Sequence, residues 1–258
     1  MLDFIPNFPG FLLVFVRVTS FFLMMPLFSY RTIPTTHKVG FGFFLSLIIY
    51  FTLDVPVFEI DVAYFFIIMK EAIVGISIGF VAYMMLSAIQ VAGGLIDFQM
   101  GFAIANVIDP QTGAQSPLMG QYFYTIALLL MLTINGHHLI IDGIYHSFQF
   151  ISLEQAWIPL GDSNLVEYIL QAFSQMFMLA FQMALPVVGC LFLTDVALGI
   201  MARTVPQLNI FVVGVPVKIA VGLVVIFILM SVMTTAMSHM VEIMLYTMRN
   251  LMDLLGGK

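Results

Sequence analysis

The sequence predicts an all-α integral membrane protein of about six apolar helices, closing in a helical hairpin near its C-terminus. Three observations carry that expectation. Of 258 residues, 62% are hydrophobic and only 9% are charged, against roughly 25% charged in a soluble globular domain. The apolar residues fall in continuous runs near the roughly 20 residues that a helix needs to cross a hydrocarbon layer. Those runs do not alternate in and out over about ten residues, as barrel strands do, and a helix satisfies its own backbone groups in lipid.

The first run is Phe8–Phe28, interrupted by Arg17, and the Ser-Tyr-Arg-Thr-Ile-Pro sequence at 29–34 ends it. The second is Val39–Val57, closed by the turn from Asp54 to Asp61 that contains Pro56. Ala72–Ile96 and Leu118–Ile141 follow, both without Asp, Glu, Lys or Arg. A polar link from Asp142 to Asn164, with Trp157 as an interfacial anchor, leads to Tyr168–Thr194 and finally Ile219–Val241. Between those last two lies a shorter apolar stretch, Thr204–Val217, broken by Pro206 and Pro216. Length and composition point to a single membrane domain over residues 1–258. Asp3 and the lack of a basic leading stretch predict that no leader is cleaved.

Charge narrows the function classes. Fourteen acids against eight bases give a net charge of −6 with no basic cluster, so the electrostatic footprint of a nucleic-acid binder is missing. In a six-helix count Arg31, Lys38, Arg203 and Lys218 share one side. Lys70, Arg249 and Lys258 share the other, a slight weight toward an outside N-terminus. The one cysteine, Cys190, lies in an apolar run and is expected to be a buried, inert thiol. Twenty methionines and 26 phenylalanines are expected to fill irregular packing gaps. A surface that seals around passing chains is the sharper reading of the same composition.

Several residues invite chemistry. Arg17, inside an apolar run, must face protein or water: as a partner for an acid, as a partner for helix C-terminal carbonyls, or in transport. Lys70 and Glu71 are expected to open the third helix as an interfacial pair, with Lys70 snorkelling. Gly75 and Gly79 form a Gly-x-x-x-Gly spacing that lets another helix approach closely. His138 and Asp142 stand four residues apart, which suits shared metal coordination, with His137 and His146 nearby. Capping or an interfacial role competes with that idea. No phosphate loop, nucleophile elbow or His-Glu-x-x-His motif is present, so no enzyme and no cofactor is expected.

Two polar interruptions stand out. From Asp97 to Gly120 the chain is too polar to span lipid and too poorly charged for an ordinary solvated linker. Asp109-Pro110 and Ser116-Pro117 break helices there, Gly113 relaxes the backbone, and Gln99, Asn106, Gln111, Thr112, Gln115 and Ser116 supply uncharged hydrogen-bonding groups. A re-entrant loop or pore constriction, buried in protein or facing a watery cavity, and a surface loop both suit this composition. The second interruption, 203–218, places Arg203, Pro206, Gln207 and Asn209 at a hairpin tip, with Pro216 as a further bend and Lys218 lower down.

The hairpin segment ALPVVGCLFLTDVALGIMARTVPQLNIFVVGVPVKIAVGL at 184–223 resembles the signature of the R-subunit family of flagellar export gates, relatives of the T subunit of virulence type III secretion. DPQTGAQSP at 109–117 and NGHH at 135–138 resemble the flagellar branch, and the likeness extends over essentially the whole chain. The resemblance implies a part like the P subunit over about 1–181 and one like the Q subunit over about 182–248, with its tip facing the cytoplasm. It implies a central plug loop over about Asn106–Tyr122. As partners it implies P and Q subunits, the B subunit and unfolded flagellar substrates, in the inner membrane at the flagellar basal body. It also warns that some apolar faces meet protein where a six-helix count assumes lipid. Two rivals stay open: a secondary transporter or channel for a small solute, and an intramembrane enzyme built on His137, His138 and Asp142.

Overall fold

The computed structural model describes residues 7–28, 33–102, 117–155, 157–159, 161–205, 207 and 209–257, the side chains of Ile210 and Phe211 excepted. All regular structure among the described residues is helical: α1 (Phe8–Met24), α2 (Thr35–Thr52), α3 (Val62–Met100), α4 (Leu118–Thr133), α5 (Gly136–Phe150), α6 (Ser163–Thr204) and α7 (Ile210–Leu255). By length and composition α3, α6 and α7 can each cross a membrane, and α4 with α5 would make a fourth span. Three or four spans thus replace the expected six. Apolar α1 has only 17 residues, about 26 Å at 1.5 Å per residue.

Two differences have local causes. The run Leu118–Ile141 is not one helix, because Asn135 takes φ 57° and ψ 23°, the left-handed region that Asn tolerates better than most residues. The third helix does not begin at Lys70-Glu71. It begins at Val62, where the Asp61 carboxylate accepts from the Tyr64 amide at 2.8 Å as an N-terminal cap.

The residues form two compact units. The first takes in Met1–Met85, Asn135–Phe173 and Glu242–Lys258. In it α1 presents Phe11, Leu13, Val14, Val18, Phe21 and Phe22, all buried. It packs on α2 through edge-on rings, Phe11 with Phe43 at 5.6 Å and Phe22 with Phe41 at 5.2 Å, a geometry that the ring quadrupoles favour. The first half of α3 lies against α1, where Gly75 and Gly79 face the α1 backbone. A Cβ on Gly75 would overlap Ser20 Oγ and the Arg17 carbonyl, and one on Gly79 would sit 2.8 Å from the Phe21 carbonyl.

The second unit holds Leu86–Ile134 and Ser174–Val241. Here α6 and α7 run antiparallel as a hairpin: Lys218 of α7 meets Asp195 of α6 at 3.0 Å. In the first unit, the Tyr168 hydroxyl donates to the Thr247 carbonyl at 3.1 Å, joining the first turns of α6 to the last turns of α7. Met176, Met183, Met233, Met237 and Met240 are buried, filling the seam on either side of Pro186, which lies inside α6. Cys190 is exposed: the apolar run that holds it turns one side outward, so the expectation of a buried thiol fails.

Candidate functional site

Among the described residues, three groupings of polar side chains bear on function. The first lies at the two ends of the polar interruption. Asp97–Met100 belong to the last turns of α3 and Leu118–Gly120 to the first turn of α4, so both ends of the interruption read from the sequence are helical. Asn106, Asp109, Pro110, Gln111, Thr112, Gly113, Gln115 and Ser116 lie outside the described residues; Pro117 lies within them as the residue before α4. Proline has no side chain able to cap a helix, and α4 receives no cap from its own N-cap residue. Asp97 supplies it from α3. Its carboxylate, 2% exposed, accepts from the Met119 amide at 3.0 and 3.2 Å. The helices touch there as well: a Cβ on Gly93 would overlap the Gly120 backbone, and one on Gly94 would stand 3.3 Å from Pro117. At the other end Gly101 takes φ 91°, and its amide bonds the Asp97 carbonyl at 3.1 Å, closing α3 in the manner of a glycine C-cap.

The second place is beside it. The Asp195 carboxylate of α6 accepts from Gln99 Nε2 of α3 at 2.9 Å and from Lys218 Nζ of α7 at 3.0 Å. Three helices are thereby tied next to the end of α3. Of the hairpin-tip residues, Arg203 lies exposed in the last turn of α6, and Gln207 is exposed in the connector. The Asn209 carbonyl accepts from Val212 and Val213 at the start of α7, Pro216 lies inside α7, and Pro206 falls outside the described residues. Lys218 is no free tip cation: it is engaged with Asp195. The sequence pointed to Lys218 and Gln99 but not to their shared partner, which sits in an apolar run with no local signal.

The third is a buried ionic node in the first unit. Arg17 and Glu71 are 0% exposed and Lys70 is 3% exposed, so the expected solvated Lys70–Glu71 pair is corrected. Glu71 binds Arg17 through both oxygens, to Nε and, at 3.0 Å, to a terminal nitrogen; it also meets Lys70. One anion between two cations leaves an excess positive charge, and the end of α5 answers it. Arg17 donates to the Ile151 carbonyl at 3.0 Å and to Ser147 Oγ at 3.3 Å, and Lys70 donates to the Ser152 carbonyl at 2.9 Å. Carbonyls at a helix C-terminus lack intrahelical partners and carry the negative end of the dipole. The Arg17 guanidinium also stands 4.2 Å over the Phe148 ring, a cation–π contact. Both kinds of partner weighed for Arg17, an acid and terminal carbonyls, are present.

The histidines arrange themselves otherwise than the spacing suggested. The His137 and His138 rings lie 4.1 Å apart, tilted by 37°, and Asp142 lies 3.5 Å from His146. Among the described residues no three His, Cys, Asp or Glu side chains converge as a metal site.

Comparison with known proteins gives a consistent picture. Residues 8–244 match the sequence model of the family described as bacterial export proteins, family 1. The chain is similar to the flagellar biosynthetic protein FliR of Bacillus subtilis (strain 168), 55% identical over 250 residues and 96% of each chain. Its similarity to the flagellar biosynthetic protein FliR of Escherichia coli (strain K12) is 30% identity over 87% of this chain and 85% of that one. With the Yop proteins translocation protein T of Yersinia pestis, identity is 26% over 90% of each.

Proposed function

Because the chain belongs to bacterial export proteins, family 1, we propose that it is a structural and gating subunit of the flagellar type III protein export channel. In this reading it forms, with P and Q subunits and next to the B subunit, the pore through which unfolded flagellar proteins leave the cell. It works in the inner membrane at the flagellar basal body and catalyses no reaction of its own. The observation that carries the reading is similarity along nearly the full length of the chain to proteins named for flagellar biosynthesis. The virulence relative adds protein translocation as the shared task and leaves the solute-transporter alternative without support.

The geometry agrees with such a role. The plug assigned by resemblance, with Asn106, Asp109, Pro110, Gln111, Thr112, Gly113, Gln115, Ser116 and Pro117, is rooted where Asp97, Gly93 and Gly120 clamp α3 to α4. A plug whose polar groups are uncharged apart from Asp109 can close a lumen with little trapping of charged substrates, and its proline and glycine hinges can swing aside. The hairpin tip at Arg203–Lys218 is the surface offered to partners. Deleting Asp109–Pro117 is the test. Cells carrying the deletion become leaky to ions while the assembly persists; normal secretion with unchanged leakage overturns the proposal.

A further inference from the structure

The geometry points to a binding site for an amine-bearing zwitterionic phospholipid in the groove between α5 and the last turns of α7, Arg249 taking the phosphate and Asp142 the ammonium. The groove offers about 480 Å³, within the roughly 300–1,000 Å³ typical of ligand sites. Its floor is apolar, with Met248 and Met252 buried, and Gly143 keeps it open. A Cβ there would only touch Met248 Cε, at 3.5 Å. The rim carries Asp142, His146 and Arg249. His146 lies 3.5 Å from the Asp142 carboxylate and 3.0 Å from Gln149 Oε1, which holds the carboxylate at the groove edge.

His138, Asp142, His146 and Gln149 recur at helical spacing on one side of α5, while Ile140, Ile144, Ser147 and Phe148 are buried on the other. The buried side packs inside the protein, while the polar side, with Leu139 exposed beside it, borders the groove. An apolar floor then receives acyl carbons while the rim reads the headgroup. Arg249 alone would accept any phosphate; Asp142 on the same rim repels an anionic headgroup and rewards an ammonium, so selectivity arises from the like-charge penalty as much as from attraction. The inference depends on the groove and not on the export reading.

The full-length chain in mild detergent is titrated with phosphatidylethanolamine, phosphatidylglycerol or free phosphoethanolamine, and bound molecules are counted by native mass spectrometry. One phosphatidylethanolamine is retained in preference to phosphatidylglycerol, and free phosphoethanolamine does not compete. Arg249→Gln weakens retention about tenfold or more, the size of one lost charge-assisted bond. Gly143→Leu abolishes it by filling the groove, and Asp142→Asn erases the headgroup preference. Arg249→Gln and Asp142→Asn alter exposed side chains, so they report even where Gly143→Leu impairs folding. Retention unaltered in Arg249→Gln and Asp142→Asn, equal binding of free phosphoethanolamine, or expulsion of the lipid by partner subunits on reconstitution each overturns the proposal.

Discussion

Replacing Glu71 by Gln tests the buried node most directly. The carboxylate satisfies Arg17 twice and Lys70 once; a carboxamide keeps one acceptor oxygen and turns a donor toward a cation. Removing one partner of a buried pair is worth about 3–5 kcal/mol, and burial of all three groups at 3% exposure or less leaves no solvent screening to reduce it. Taking the lower end, for the acceptor that remains, gives about 3 kcal/mol, roughly two decades in the folding equilibrium. For a chain of this size the apparent midpoint falls by about 6–12 °C. Trp157 is the protein's one tryptophan, and it lies 5.8 Å from the Phe66 ring, close after the carbonyls that Arg17 and Lys70 grip. Its fluorescence during heating of the detergent-solubilised protein therefore reads the node locally. Adding Arg17→Met to Glu71→Gln removes one of the stranded cations, so the double variant loses less than the two singles summed. A midpoint within about 2 °C of the parent, or strictly additive losses, would refute the argument that these charges stabilise one another.

Two further outcomes follow from the packing. Gly75→Val forces α3 off α1 and destabilises by about 1–3 kcal/mol, whereas Gly189→Val, where a Cβ meets nothing within 4 Å, leaves the thermal midpoint nearly unchanged; equal midpoints for both would reject the close-approach argument. Asp97→Ala removes the cap of α4, a loss of about 1 kcal/mol, seen as faster hydrogen exchange at Met119 and Gln121, with Asp97→Asn largely restoring protection. Unchanged exchange in the alanine variant would mean that α4 begins without help from α3.

The helical architecture and several boundaries were legible because they rest on local chemistry. Pro117 stands directly before α4, Pro56 lies in the turn after α2, and the hairpin turn read from the sequence falls between the end of α6 at Thr204 and the start of α7 at Ile210. Charges misled where their partners are distant in sequence. Lys70 and Glu71 read as a boundary only because Arg17, 54 positions before Glu71, and the end of α5 are invisible to a window of neighbours. The same holds for Asp97, which looked like the start of a loop and is a helix cap acting across 22 positions. Asn135-Gly136 did carry the signal for the α4–α5 break, yet the apolar run on both sides outweighed it. Cys190 shows the converse error, since hydropathy of a run says nothing about which side of a helix is covered.

The long hairpin has a consequence for biogenesis. At 42 and 46 residues, α6 and α7 each hold roughly twice the residues that a helix needs to cross the hydrocarbon layer. Phe173, Phe192 and Ile200 on one rod, and Val212 and Phe227 on the other, remain uncovered. Whatever length stands proud of the bilayer is greasy surface with no solvent of its own. A newly made chain therefore has a short window in which to find neighbours before proteases or its own copies do, and its abundance in the cell should track theirs.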